Sequence, residues 1–218
     1  GGELQALKKT HERYADVFAK LGYPIDLTKH QYPARKVMSA KTQDLIGLSS
    51  KKFIGVAPFA AHRGKVYPLQ LIKQVIAQLN NTGDYAIFLF GGGATETAKL
   101  DKLASDFKGV TNMAGKLSFS QELQLISNLD VMLAMDSGNG HLTALYDIPV
   151  VTIWGVTHPF LGFAPFNQPN ENQLLADRTK YPLVPTSVYG STYPDGYEKA
   201  IETISPSAIV EKVLSVLK

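Results

Sequence analysis

The stretch VMLAMDSGNGHLTALYDIPVVTIWGVTHP, residues 131–159, decides the fold. Val131–Met135 is a short apolar run of the length of a buried strand. Asp136-Ser137-Gly138 follows as a tight turn, and Asn139-Gly140-His141 opens a helix expected to run through Tyr146. Pro149–Trp154 is a second apolar, β-branched run, after which Gly155 releases the chain into Val156-Thr157-His158-Pro159. Strand, turn, helix, strand and loop in this order make a parallel crossover unit. In such sheets the loops leaving strand C-termini line the ligand crevice. Residues 136–141 and 155–159 both belong to such loops. A helix N-terminus with glycines and a hydroxyl suits an anion, because its free N–H groups and dipole point outward.

The same rhythm extends upstream. Phe53–Ala57, Tyr85–Phe90 and Val110–Met113 read as strands, and Pro68–Leu79, Ala94–Phe107 and Ser120–Asn128 as helices, with Ser118 or Ser120 as the last helix's N-cap. Alternation of this kind implies right-handed crossovers and a parallel sheet with helices on both faces. Leu4–Leu21 has helical periodicity and stops at Gly22 before Pro24. Residues 23–50 are mixed and polar and read as a linker, with a strand expected around Arg35–Met38. Residues 160–200, rich in Pro, Gly, Asn and Tyr, read as irregular surface loops. Ser205-Pro206 starts a final helix through Leu217.

Composition narrows the function classes. The 218 residues carry 22 basic and 19 acidic side chains, a net charge of +3. That excess, with no long basic run, argues against a nucleic-acid partner and allows weak attraction to an anionic membrane surface or substrate. With 0 cysteines there are no disulfides and no thiolate metal sites. The five histidines show no metal-ligand spacing, so no metal and no cofactor is expected. No apolar run is long enough for a transmembrane helix. The chain opens Gly1-Gly2 rather than Met. An opening helix with no strand before it suggests part of a longer protein.

Several loop residues are candidates for chemistry, each with a plainer alternative. Lys65, in Ala60-Ala61-His62-Arg63-Gly64-Lys65-Val66-Tyr67-Pro68, follows the first strand and can act as a point charge on a diphosphate; alone it would read as a solvated loop lysine. Gly91-Gly92-Gly93 after the second strand lets a ligand approach the backbone, but lacks dinucleotide-fingerprint spacing. Glu96 then reads either as an acid favoured in a first helical turn or as an acceptor for ribose hydroxyls. Leu117 reads as core or as a surface for a base. Asp136 reads as a helix cap or as an acceptor for sugar hydroxyls, Ser137 and Gly138 as donors to phosphate, and His141 as a core histidine or as a donor. Thr157 supplies a hydroxyl in the last loop.

Taken together, Asp136-Ser137-Gly138, His141-Leu142-Thr143-Ala144, Pro149, Val151, Trp154-Gly155, Thr157 and Pro159 resemble the signature of the ADP-heptose:lipopolysaccharide heptosyltransferases, glycosyltransferase family nine. Lys65-Val66-Tyr67-Pro68 resembles that family's phosphate-binding lysine element, although Ala60 and Ala61 stand where the family often has hydroxyl residues. Glu96 matches its ribose-binding glutamate and Leu117 its adenine-packing position, while His158 falls where the family varies. The resemblance covers residues 50–160 clearly. It implies the C-terminal, donor-binding, Rossmann-like half of an inverting GT-B transferase that moves heptose from ADP-heptose to the lipopolysaccharide inner core, at the cytoplasmic face of the inner membrane. Residues 1–45 would be the helix and linker of an N-terminal acceptor domain, and residues 46–218 the nucleotide-sugar domain. Lys65 would be the catalytic charge, with the general base in the other domain, so this chain alone would bind donor without turnover. The final helix is expected to face that other domain with its apolar side partly exposed. The rival readings are a transferase or epimerase with a UDP or GDP donor, and a non-catalytic nucleotide-binding module.

Overall fold

The computed structural model describes residues 4–47 and 50–218. Gly1, Gly2 and Glu3 lie outside this range, as do Leu48 and Ser49 within the expected linker. Six strands form one parallel sheet: β1 (Lys52–Ala57), β2 (Tyr85–Leu89), β3 (Val110–Asn112), β4 (Val131–Met135), β5 (Val150–Trp154) and β6 (Gln173–Leu175). Their order is β3-β2-β1-β4-β5-β6. Ile54 of β1 sits beside Ile87 of β2 and Val131 of β4. The chain winds outward from β1 in one direction and then from β4 in the other. The loops after β1 and β4 therefore diverge and leave a crevice at the sheet's C-terminal edge. This is the doubly wound α/β architecture the alternation implies.

Among the described residues seven α-helices accompany the sheet: α1 (Thr10–Lys20), α2 (Ala40–Ile46), α3 (Leu69–Asn81), α4 (Gly93–Ala104), α5 (Phe119–Ile126), α6 (Gly138–Ala144) and α7 (Pro206–Val216). Strand side chains alternate between two core layers, as the two-residue period requires. Ile54, Val56, Ile87, Leu89, Val131, Leu133, Val151 and Ile153 face one layer, which α3, α4 and α7 complete. Phe88, Met132, Ala134 and Val150 face the other, with Leu125 and Ile126 of α5, Ala144 of α6 and the half-buried Leu45 and Ile46 of α2. Helix starts are chemically marked. Ser118 caps α5, its hydroxyl accepting from Gln121 N–H at 3.3 Å while Gln121 Oε1 accepts from Ser118 N–H at 3.0 Å. Ser205 caps α7 by accepting from Ala208 N–H at 3.1 Å, with Pro206 in the first turn.

Four expectations are corrected. The opening helix begins at Thr10 rather than Leu4, because Leu7 N–H is held by Phe160 O at 2.8 Å outside any helical ladder. No strand forms at Arg35–Met38. Lys36 N–H donates instead to Ser127 Oγ at 2.9 Å, and Asn128 Nδ2 donates to Lys36 O at 2.8 Å, so the segment runs along the end of α5. The tract 160–200 contains β6, held to β5 by Trp154 Nε1–H donating to Gln173 Oε1 at 2.8 Å as well as by the ladder. Finally, α7 does not leave its apolar face open. Ile209 and Val213 are fully buried in the layer shared with α3, each contributing about 2 kcal/mol of apolar burial, and Lys52 Nζ donates to Leu217 O at the helix end.

The exposed apolar helix is α1, which has no buried residue and shows Tyr14, Val17, Phe18 and Leu21 to solvent. No helix among the described residues is long and apolar enough to cross a membrane.

Candidate functional site

The loop after β1 ends in a single 3₁₀ turn, Arg63–Lys65. It is fixed from below by Tyr67, which is fully buried and donates its hydroxyl to Ile204 O at 2.6 Å. Burial, with Glu202 nearby, pushes the Tyr67 phenol up to about 12, so it donates and does not ionise. From the side the loop is fixed by backbone contact. Gly64 O accepts from Val156 N–H at 3.1 Å. A β-carbon at Gly155 would lie 2.1 Å from that same Gly64 oxygen. Glycine at 155 is thus required because two backbones meet there.

The loop after β4 carries Asp136. Its Oδ2 accepts from Lys65 Nζ at 2.9 Å and from Thr157 Oγ1 at 3.0 Å. The Lys65 and Asp136 side chains are only 12% and 11% exposed, and Thr157 is 1% exposed. The loops after β1 and β5 each send one side chain to a single carboxylate oxygen carried by the loop after β4, the strand between them. The helix-cap reading of Asp136 is not what the geometry shows: the residue before α6 is Ser137, and Asp136 turns to Lys65. Ser137 occupies the N-cap position without a side-chain cap bond. Its Oγ is buried with no hydrogen-bond partner among the described residues. An unpaired buried hydroxyl beside a helix N-terminus is costly unless something polar meets it. Next to it Gly138 opens α6, and a side chain there would meet open space.

The other half of the crevice lies over β1, β2 and β3. A cleft of about 370 Å³ is bounded by Phe59, Ala60, Gly91, Glu96, Glu122 and Asn139. Glu96 Oε2 accepts from Gly92 N–H at 2.8 Å, so one carboxylate oxygen braces the glycine turn at the start of α4 while the side chain faces the cleft. Burial raises the Glu122 carboxyl above its usual range. Leu117 stands outside that lining and is half buried against the layer containing Leu125 and Met132. Among the described residues no group of three His, Cys, Asp or Glu side chains is placed to hold a metal ion.

Comparison with known proteins decides the family. Residues 4–191 match glycosyltransferase family 9 (heptosyltransferase). The chain belongs to that family. It is 26% identical over 179 residues to lipooligosaccharide heptosyltransferase 2 of Campylobacter jejuni, covering 80% of this chain and 54% of the relative. It is 27% identical over 116 residues to lipopolysaccharide heptosyltransferase 3 of Escherichia coli, covering 52% of this chain and 33% of the relative. The chain thus spans about half the length, or less, of these curated relatives. Among solved structures, a family 9 glycosyltransferase from Veillonella parvula superposes with a TM-score of 0.73 at 17% identity, covering 96% of this chain and 60% of that one. The Escherichia coli heptosyltransferase WaaC solved with ADP gives 0.63 at 21%, covering 98% and 59%. The Rossmann-like α/β architecture expected of a GT-B half is therefore the one present.

In this family 9 chain a second cavity, about 600 Å³, adjoins the β4 loop. Gly138, His141 and Leu145 form one wall, Phe163 and Phe166 another, and Tyr14 of α1 the third. α1 is seated there by Thr10 N–H donating to Gly162 O at 2.8 Å and Arg13 Nη2 donating to Leu161 O at 2.9 Å. The core reading of His141 does not hold, because the residue is exposed and lines this cavity. Desolvation by the surrounding chain lowers its pKa, Asp136 opposing and Lys65 reinforcing the effect; water at the exposed side screens both charges. His158 is different. It is 4% exposed, accepts from Phe160 N–H through Nδ1 at 3.1 Å, and is pushed down to about 4 by burial and by Arg178. It is a neutral framework residue.

The predicted residues therefore fall into two groups. Lys65, Asp136 and Thr157 are in contact, with Ser137, Gly138 and His141 adjoining them; Glu96 is across the cleft and Leu117 on its flank. Sequence reasoning missed Glu122 and Asn139. Glu122 is an acid in the first turn of α5 and Asn139 lies in the first turn of α6, positions at which no local pattern marks a cleft-lining role.

Proposed function

We propose that this chain is the donor-binding part of an inverting glycosyltransferase that moves a heptosyl group from ADP-heptose to the inner core of lipopolysaccharide. The observation that carries the reading is the convergence of Lys65, Asp136 and Thr157 beside the unpaired Ser137 hydroxyl at the start of α6. Lys65 and the N–H groups of the α6 terminus meet the negative charge that builds on the diphosphate as the glycosidic bond breaks. Asp136 holds the ammonium in place and, with an Oδ1 that takes no hydrogen bond among the described residues, accepts from a sugar hydroxyl. Ser137 and Thr157 give hydroxyl contacts, and His141 donates from the cavity edge. Glu96 accepts from the ribose, and Leu117 lies against the adenine.

Cationic side chains and a helix terminus do here what a divalent ion does in many sugar transferases, so binding is expected to be indifferent to EDTA. The acceptor hydroxyl requires a general base, which we place in the remainder of the protein. Residues 1–45 are read as the junction with that acceptor domain and residues 46–218 as the donor domain. The chain alone then binds donor without transfer. An acceptor anchored in a membrane places the work at the cytoplasmic face of the inner membrane, by peripheral contact.

The test is calorimetric titration with ADP, UDP and GDP in EDTA. Selective binding of ADP supports the reading and ADP-heptose follows. Preference for UDP or GDP keeps the fold and overturns the donor. Loss of ADP binding on adding EDTA overturns the metal-free site.

A further inference from the structure

The tract 160–200, read from sequence as surface loops, returns across the C-terminal edge of the sheet directly over Lys65. Thr186 N–H donates to Val156 O at 2.9 Å. Its hydroxyl donates to Thr192 O at 2.8 Å, and Thr192 N–H donates to Ser187 Oγ at 3.3 Å. These bonds close a small loop, residues 187–191, whose base is stitched to the residue preceding Thr157. Within it Gly190 is buried and has φ of +73°. A β-carbon at Gly190 would lie 2.8 Å from Cδ and 3.0 Å from Cγ of Lys65, and 3.0 Å from Cγ2 of Thr157. The same strap also reaches the neighbouring residue, since a β-carbon at Gly64 would lie 3.0 Å from Cε1 of Tyr193.

Gly190 is thus pressed against the aliphatic stem of Lys65 and the methyl of Thr157, while the polar ends of those two side chains meet on Asp136 Oδ2. A lysine stem is long and flexible, and fixing it costs rotamer entropy. Here the stem is fixed before any ligand arrives, from above by the bare α-carbon and at its tip by the carboxylate. A β-carbon at 190 would have to displace the stem that carries the ammonium to Asp136.

We propose that Gly190 is a positioning residue for Lys65: the loop 186–192 uses the absence of a side chain at 190 to hold the lysine stem so that its ammonium points at the diphosphate site. This rests on the reading of Lys65 as the diphosphate-binding group. It makes a residue in an irregular tract, far from the family's motif, part of what sets donor affinity.

Two probes separate this role from a structural one: ADP, and adenosine, which has no phosphate for Lys65 to meet. Gly196 supplies the control for backbone strain. Its φ is +85°, but a β-carbon there meets nothing within 4 Å. Titration of the whole chain is expected to show that Gly190→Ala weakens ADP about tenfold, by undoing the ordering of the lysine, and leaves adenosine unchanged. Gly196→Ala should change neither. In a Lys65→Ala background, Gly190→Ala should have no further effect on ADP.

Wild-type ADP affinity in Gly190→Ala, an equal loss for adenosine, or an undiminished loss without Lys65 overturns the proposal. Failure of the underlying reading looks different: Lys65→Ala itself then binds ADP as tightly as wild type, or wild type binds no ADP at all. If Gly190→Ala does not fold, the double variant decides. Recovery of its melting transition on removing the lysine stem supports the contact, and no recovery overturns it.

Discussion

The loops after β1, β4 and β5 bring Lys65, Asp136 and Thr157 into mutual contact with their side chains nearly closed to water. The loops after β2 and β3, on the other side of the crevice, present Glu96 at an open glycine turn and Leu117 on a half-buried flank. Both sides are built on the same parallel sheet by the same kind of strand-to-helix turn. They differ in how far their side chains are already paired with one another. On the closed side the cation already has its counter-ion, because a buried charge must be compensated; under the proposed function this is the side that meets the diphosphate. On the open side the wall is left to water; under the proposed function the ribose and the base are met there.

This contrast is broken most severely at Gly155. Its β-carbon would collide with backbone at Gly64 rather than with a side chain that can yield. Gly155→Ala is expected to cost about 3 kcal/mol of stability, read from urea unfolding, and to abolish ADP binding by parting the β1 and β5 loops. A fully stable Gly155→Ala protein with intact affinity would show that the two loops are not held by that approach.

The next largest effect sharpens the comparison. Lys65→Ala is expected to weaken ADP by roughly 10- to 100-fold, the worth of a charge-assisted contact, with adenosine untouched. Glu96→Gln should act on both ligands alike, because both carry the ribose, and by only about fivefold. If Glu96→Gln spares adenosine, Glu96 serves the glycine turn and not the ribose.

His158 tests the framework beneath the closed side. The unfolded chain takes up its proton near 6.5, whereas the native ring does so only near 4. Between these values the unfolded state holds more protons, so stability falls as pH drops through that window, by at most about 3 kcal/mol. Urea unfolding at pH 7 and pH 4.5 measures this, and His158→Asn should flatten the pH slope.

The smallest expected effect is at Leu117. Leu117→Ala should cost about 1 kcal/mol or less of stability at a half-buried position. If Leu117 meets the base, ADP and adenosine weaken together, by about threefold; a loss of stability with unchanged affinity makes it core alone.

What was legible in the sequence follows the same division. β4 is an uninterrupted buried apolar run and β1, β2 and β5 are largely apolar with buried central residues, and the helices between them carry caps or glycine turns, so element order and fold class could be read directly. Asp136, Ser137 and His141 could be singled out because they share one turn and one helix start. β6 could not, because three residues in an Asn- and Pro-rich tract have no period, and its pairing depends on Trp154 finding Gln173. α1 was read too long because Leu4 and Leu7 continue its apolar stripe, while the backbone there bonds to residue 160 instead. Gly190 was invisible for the same reason. Its meaning lies in which side chain it covers, and no local pattern carries that.

The position of β1 in the middle of the sheet bears on how the molecule assembles. One of its partners, β2, follows after a single helix; the other, β4, arrives much later, and Phe53 N–H bonds to Asp130 across a sequence separation of 77. Closing so long a loop is entropically slow, and the contacts that reward it come only afterwards. Lys65 and Asp136 lie on opposite sides of that seam. Their ion pair therefore cannot form before β4 has docked beside β1, in a chain still growing from the ribosome as in one that refolds.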